Sequence, residues 1–119
     1  MINTKFTYLY RDASNYKRNK TVVVRGNLVL EELQPHLEDG ERFIPGQVDL
    51  PYPQLEWSGD HYAFPTEDDH VWCEVIPDGF EETTDEPTLD STAEELLIKF
   101  QAAKQVGWDV SEASEALGL

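Results

Sequence analysis

Cysteine is almost absent from this chain: Cys73 is its single thiol, so no internal disulfide can form. A reducing cytoplasm is the expected location. Long apolar runs are missing too. Nothing approaches the roughly 18 consecutive apolar residues of a membrane span, and Met1-Ile2-Asn3-Thr4 leads into a strand pattern rather than the basic-then-apolar start of a targeting peptide. The seven glycines are scattered, and none follows a strand in Gly-x-Gly-x-x-Gly order, so no phosphate-cradling loop is expected. Basic residues are also scarce. Nine Lys and Arg stand against 24 Asp and Glu, a net charge of −15 with pI near 4.3. Such a surface repels phosphates and anionic lipid, which argues against direct nucleic-acid binding and against membrane association.

What the chain does contain suits one domain over residues 1–119. A length of 119 residues can bury about two-thirds of the unfolded surface. A hydrophobic fraction of 39% with five Tyr, five Phe and three Trp is enough for a core, and 28% charged residues is ordinary. The charge is unevenly spread. Residues 1–25 hold six basic groups (Lys5, Arg11, Lys17, Arg18, Lys20, Arg25) against Asp12, a net of +5, which leaves −20 for the remainder.

From Lys5 to Arg11 the chain alternates, with Phe6, Tyr8 and Tyr10 on one face and Thr7, Leu9 and Arg11 on the other, as a pleated strand requires. Asp12 to Asn19 supplies turn formers, and Lys20 to Arg25 resumes β-branched character, so the pair reads as a hairpin with a long loop. Leu30, Leu33 and Leu37 fall at helical spacing, predicting a short helix within 28–37 that starts from an Asn27 cap and is interrupted by Pro35. From Glu38 to Asp60 proline and glycine punctuate the chain, leaving Arg42–Ile44 and Gln54–Trp57 as candidate edge strands. His61–Phe64 and His70–Ile76 are stronger strand candidates and suggest a second hairpin. Residues 78–90 are acidic and nearly without apolar side chains, and read as a solvated linker.

A Ser91-Thr-Ala-Glu94 capping box then opens a helix carrying Ala93, Leu96, Leu97, Phe100 and Ala103 on one stripe. Gly107 is placed to stop it. Asp109-x-x-Glu112 repeats the cap for a shorter helix with Val110, Ala113 and Leu117. A DNA-binding helix-turn-helix is disfavoured because this last helix bears Glu112 and Glu115 and no basic residue. A ubiquitin-binding bundle would need a third helix there. The predicted fold is therefore α+β: a small antiparallel sheet with an N-terminal hairpin, packed by a C-terminal amphipathic helix and a short terminal helix.

The run Lys5-Phe-Thr-Tyr-Leu-Tyr-Arg-Asp-Ala-Ser-Asn-Tyr-Lys17, with Glu67-Asp-Asp-His70 further on, resembles an uncharacterised family of small acidic bacterial and phage proteins. Those proteins open with a similar Tyr-Arg-Asp-Ala-x-Asn-Tyr pattern. The resemblance covers the first two-thirds of the chain and implies a bacterial or phage setting without implying an activity.

Motifs for chemistry are few. His70-x-x-Cys73 has metal-ligand residue types, but residues three apart on a strand face opposite sides, and one pair cannot complete a four-ligand site. Glu67, Asp68 and Asp69 and the Glu81-Glu82 pair lack the Asp-x-Asp-x-Asp-Gly loop that wraps calcium. Ser58, Asp60 and His61 lack the Gly-x-Ser-x-Gly elbow of a nucleophile. No cofactor and no metal is expected.

Two expectations of different class follow. The first is a non-enzymatic acidic interaction protein, phage-encoded on the resemblance above, that occupies a basic surface of a host protein with Asp68, Asp69, Glu81, Glu82, Asp85 and Glu86 as contacts. The second is a small-ligand binder. In the Tyr10–Arg18 turn, Arg11, Lys17 and Arg18 attract an anion, Tyr10 and Tyr16 stack on a planar group, and Asn15 hydrogen-bonds, a set suited to a nucleotide-like molecule. Against it stands a plain hairpin whose Arg11 pairs with the protein's own carboxylates. A metal-dependent enzyme is a weaker third reading.

Overall fold

The alternation at the N-terminus becomes β1, Asn3–Arg11, whose Phe6, Tyr8 and Tyr10 are fully buried while the residues between them are half-exposed. The computed structural model describes residues 2–13, 15, 17–56 and 69–119. β2, Lys17–Val24, pairs antiparallel with β1 from Thr4↔Val24 to Arg11↔Lys17, which forms the expected N-terminal hairpin. In its loop Asn15 takes φ 68° and donates its N–H to the Asp12 carbonyl at 3.0 Å. Asparagine is among the few non-glycine residues that tolerate that left-handed conformation.

The second neighbour of β1 is β4, Cys73–Thr83, and with β2 and the short β3, Arg42–Phe43, the two make a four-stranded antiparallel sheet of order β2-β1-β4-β3. Here the structure departs from the sequence reading. The expected strand His70–Ile76 starts later and runs on through the first part of the acidic segment 78–90, so that part is sheet and not linker. The pairing passes from Tyr8↔Val75 to Phe6↔Phe80 across a bulge. Extra residues in β4 shift its face between the two halves, which breaks a simple period-two pattern. Gly79 sits in that bulge, where a Cβ would lie 2.4 Å from the Thr7 carbonyl oxygen. Only glycine lets the two backbones approach so closely.

Beyond β4 the chain turns across the end of β2. The Thr88 N–H donates to the Val23 carbonyl at 2.8 Å, the Thr88 hydroxyl accepts from the Val23 N–H at 2.9 Å, and the Ala93 N–H donates to the Arg25 carbonyl at 2.7 Å. The remainder of the expected linker is thereby tied to the sheet. β3, Arg42–Phe43, is the short edge strand anticipated at 42–44. Of the other candidate, Gln54–Trp57, the residues Gln54–Glu56 instead fall in a 3₁₀ turn over Pro53–Glu56, as the proline at its start favours, and Trp57 lies outside the described residues. The strand expected at 61–64 lies outside the described residues.

α1 spans only Leu30–Leu33, followed by a 3₁₀ turn over Gln34–His36 that contains Pro35. Asn27 is not its cap. The Leu28 N–H is held by the Thr4 hydroxyl at 2.9 Å, and that hydroxyl donates to the Gly26 carbonyl at 2.7 Å, so β1 keeps this stretch extended. α2, Ala93–Val106, lays Leu96, Phe100 and Ala103 on the aromatic face of the sheet, with the Phe43 and Phe100 rings 5.3 Å apart. α3, Val110–Leu117, starts from an Asp109 cap and closes a smaller cluster of Ile44, Val71, Ala113 and Leu117. The architecture is α+β, as expected. Among the described residues no helix is long and apolar enough to cross a membrane.

Candidate functional site

The N-terminal turn is held by the protein's own groups. Tyr10 belongs to the core: its hydroxyl donates to the Asp69 carboxylate and accepts the His70 N–H at 3.3 Å. Its ring is therefore closed to a stacking ligand, which corrects the expectation placed on it. Arg11 donates through Nε to Glu74 at 3.2 Å and through its guanidinium to the Asn15 side chain at 2.9 Å, the internal pairing that a plain hairpin predicts. Asn15, Lys17 and Arg18 are exposed at the mouth of the loop. Tyr16 lies outside the described residues; of the other five residues assigned to a ligand, Arg11 bonds Asn15, while the hairpin register sets Arg11 opposite Lys17 and Tyr10 opposite Arg18.

Asp69, assigned to a partner surface, instead is half-buried against Tyr10. Asp68 lies outside the described residues. His70 places Nε2 2.6 Å from the Arg11 carbonyl and accepts the Trp72 N–H on Nδ1 at 3.0 Å. That fixes the neutral tautomer with its proton on Nε2 and occupies both nitrogens. Cys73 is buried, and burial together with the neighbouring Glu74 charge pushes its thiol well above the ordinary range. The two metal-like residues thus serve the core. Among the described residues no three His, Cys, Asp or Glu side chains converge on a common point.

The other four assigned carboxylates behave differently. Glu81, Glu82, Asp85 and Glu86 are all exposed, on the last part of β4 and the loop after it. Strand alternation sends Glu81 to the outer face of the sheet and Glu82 to the rim of the core face, so the acids flank the strand on both sides. Lys5 Nζ stands 3.8 Å from Asp85, a half-exposed lysine against an exposed carboxylate and a pair of small energetic weight, and Arg25 lines the same depression as Asp85 and Glu86. Among the described residues Glu81, Glu82 and Glu86 enter no ion pair. The basic residues nearest in sequence are engaged elsewhere, Arg42 with Asp39 at 2.6 Å and Lys99 with Asp49 at 3.0 Å.

The sequence reading missed the backbone that carries these acids. Phe80 stacks on Phe6 at 5.0 Å and pins this half of β4 against the core, while Asp78 and Glu81 border a depression with Lys5, Thr7 and Ile76. Phe80 was the available signal, as a lone aromatic in an acidic run. Comparison with protein-family models, with curated proteins and with solved structures finds no match to this chain, so the site rests on its own geometry.

Proposed function

We propose that this is a non-enzymatic acidic interaction protein that occupies a basic surface of another protein. It acts as an inhibitor where that surface serves the partner's own contacts, nucleic acid among them. The observation that supports this reading is the carboxylate set Glu81 and Glu82, exposed on a strand fixed to the core, with Glu86 exposed on the loop that follows, all three without an ion-pair partner among the described residues. Like charges held this close repel one another, and a cationic partner relieves that repulsion on binding. Complementary charge then steers encounter and disfavours anionic competitors. A cytoplasmic setting in a bacterium or a phage-infected cell fits the single buried thiol and the resemblance of the N-terminal motif.

Affinity capture from a bacterial lysate tests the reading. The wild-type protein retains basic proteins at low salt and releases them as salt rises, and the doubly reversed variant Glu81→Lys/Glu82→Lys loses them. Equal capture by both proteins would sink the proposal.

A further inference from the structure

We propose that the outer edge of β4 takes an extended basic segment of a partner protein as an added strand. This rests on the acidic-interaction reading and names how the partner is held.

The hydrogen-bonding direction along β4 follows from the ladder. Val23 spends its N–H and C=O on Thr88, away from β1, so the pair Lys5↔Val23 is a non-hydrogen-bonded one. Because such pairs alternate with bonded ones, Asn3, Lys5, Thr7 and Leu9 direct their backbone groups toward β4. Lys5↔Glu81 and Asn3↔Thr83 are then bonded pairs, and the N–H and C=O of Phe80 and Glu82 point outward from the sheet. The first half of β4 obeys the same alternation, since the Val75 N–H points outward and donates to the Glu41 carbonyl at 2.8 Å. β3 covers only Cys73 and Glu74, and among the described residues no hydrogen bond reaches the outward groups of Phe80 or Glu82.

Pro77 fits the same geometry, because proline is tolerated where the missing N–H would face away from the sheet. It leaves Phe80–Glu82 as the part of the edge able to pair. A shallow cavity lies beside that part on each face: about 210 Å³ lined by Leu28, Val29 and Phe80, and about 250 Å³ lined by Thr7, Ile76 and Glu81. Strand addition uses such an arrangement, with main-chain bonds for affinity and cavities on alternate faces for successive side chains.

Charge selects the occupant. A second copy of β4 laid along this edge would set Glu81 and Glu82 against the same residues of its partner, and like charges directly opposite are destabilising. A strand rich in Lys or Arg meets carboxylates on both faces instead.

The test uses the whole protein, isotopically labelled, with the peptide Lys-Val-Lys-Val-Lys-Val-Lys and a form of it N-methylated at alternate residues. Methylation keeps the charge and removes the strand donors. The expected result is slowing of hydrogen exchange by about tenfold or more at the Phe80 and Glu82 amides, and affinity weaker by about tenfold for the methylated peptide. Equal affinity of the two peptides, or protection confined to other amides, overturns strand addition while leaving the acidic reading in place. Failure of both peptides to bind at low salt overturns both. Protection of Phe80 and Glu82 that grows with protein concentration in the absence of peptide assigns the edge to a second copy and overturns the foreign strand.

Discussion

A methyl group at position 79 would lie 2.4 Å from the Thr7 carbonyl oxygen and 3.1 Å from that of Ile76, both backbone atoms that cannot rotate away. Gly79→Ala should therefore cost about 2 kcal/mol by forcing β4 off β1, read as a lowered denaturation midpoint in urea. An unchanged midpoint would show that the bulge yields freely. Cys73 makes a second case, since it is buried with a raised thiol pKa. It should resist iodoacetamide in the native protein at neutral pH and react once the chain is unfolded, with alkylation followed by mass spectrometry as the check. At this scale the sequence was informative for the core and poor for contacts. Period two identified Phe6, Tyr8 and Tyr10 as one face, and all three are buried. It could not show that Tyr10 reaches Asp69 or that Arg11 reaches Glu74, because those partners come from a strand and a loop some sixty residues away.

Elements were legible where local chemistry decides them. α2 begins with a capping box, one residue later than the Ser91–Glu94 pair predicts: Thr92 accepts the Glu95 N–H at 3.1 Å, and Glu95 accepts the Thr92 N–H at 3.0 Å. Ser91 and Thr92 both precede a Glu by three positions, so the pattern fits twice. The structure settles it by giving the Ser91 hydroxyl to Lys99 at 2.7 Å. Thr92→Ala should destabilise the protein by about 1 kcal/mol. Hydrogen bonds from Thr92 hold the Glu95 carboxyl below the ordinary glutamate range. A depressed folded-state pKa contributes stability above the unfolded value and loses it as pH falls through the folded one. The stability difference between wild type and Glu95→Gln should thus be constant near neutral pH and shrink below about pH 4, as measured by denaturation at several pH values. A difference that does not change with pH would count against the box. β4 was only half legible, because its second half is held by long-range pairing with β1 and by Phe80 on Phe6, while its composition is that of a solvated turn. Tertiary context commonly overrides strand propensity in this way.

At the scale of the whole molecule, the acidic residues are more than twice the basic ones, and some of the few cations are committed to internal pairs such as Arg11–Glu74, Arg42–Asp39 and Lys99–Asp49. The fold turns that excess into a position. Glu81 and Glu82 stand on a strand anchored by the aromatic core, and Asp85 and Glu86 follow on a loop whose Asp85 carbonyl accepts from the Asn3 side chain at 2.9 Å. The net charge was plain from the sequence, whereas its placement along a sheet edge depended on the bulge at Gly79. The most direct measurement is calorimetric titration of the Lys-Val-Lys-Val-Lys-Val-Lys peptide into wild-type protein and into Glu81→Lys/Glu82→Lys, each at low and high salt. The account predicts binding to the wild type that weakens severalfold between about 50 and 200 mM salt, as screening of exposed charge requires, and a loss of about tenfold or more in the reversed variant. Equal dissociation constants for the two proteins, or binding indifferent to salt, would contradict it.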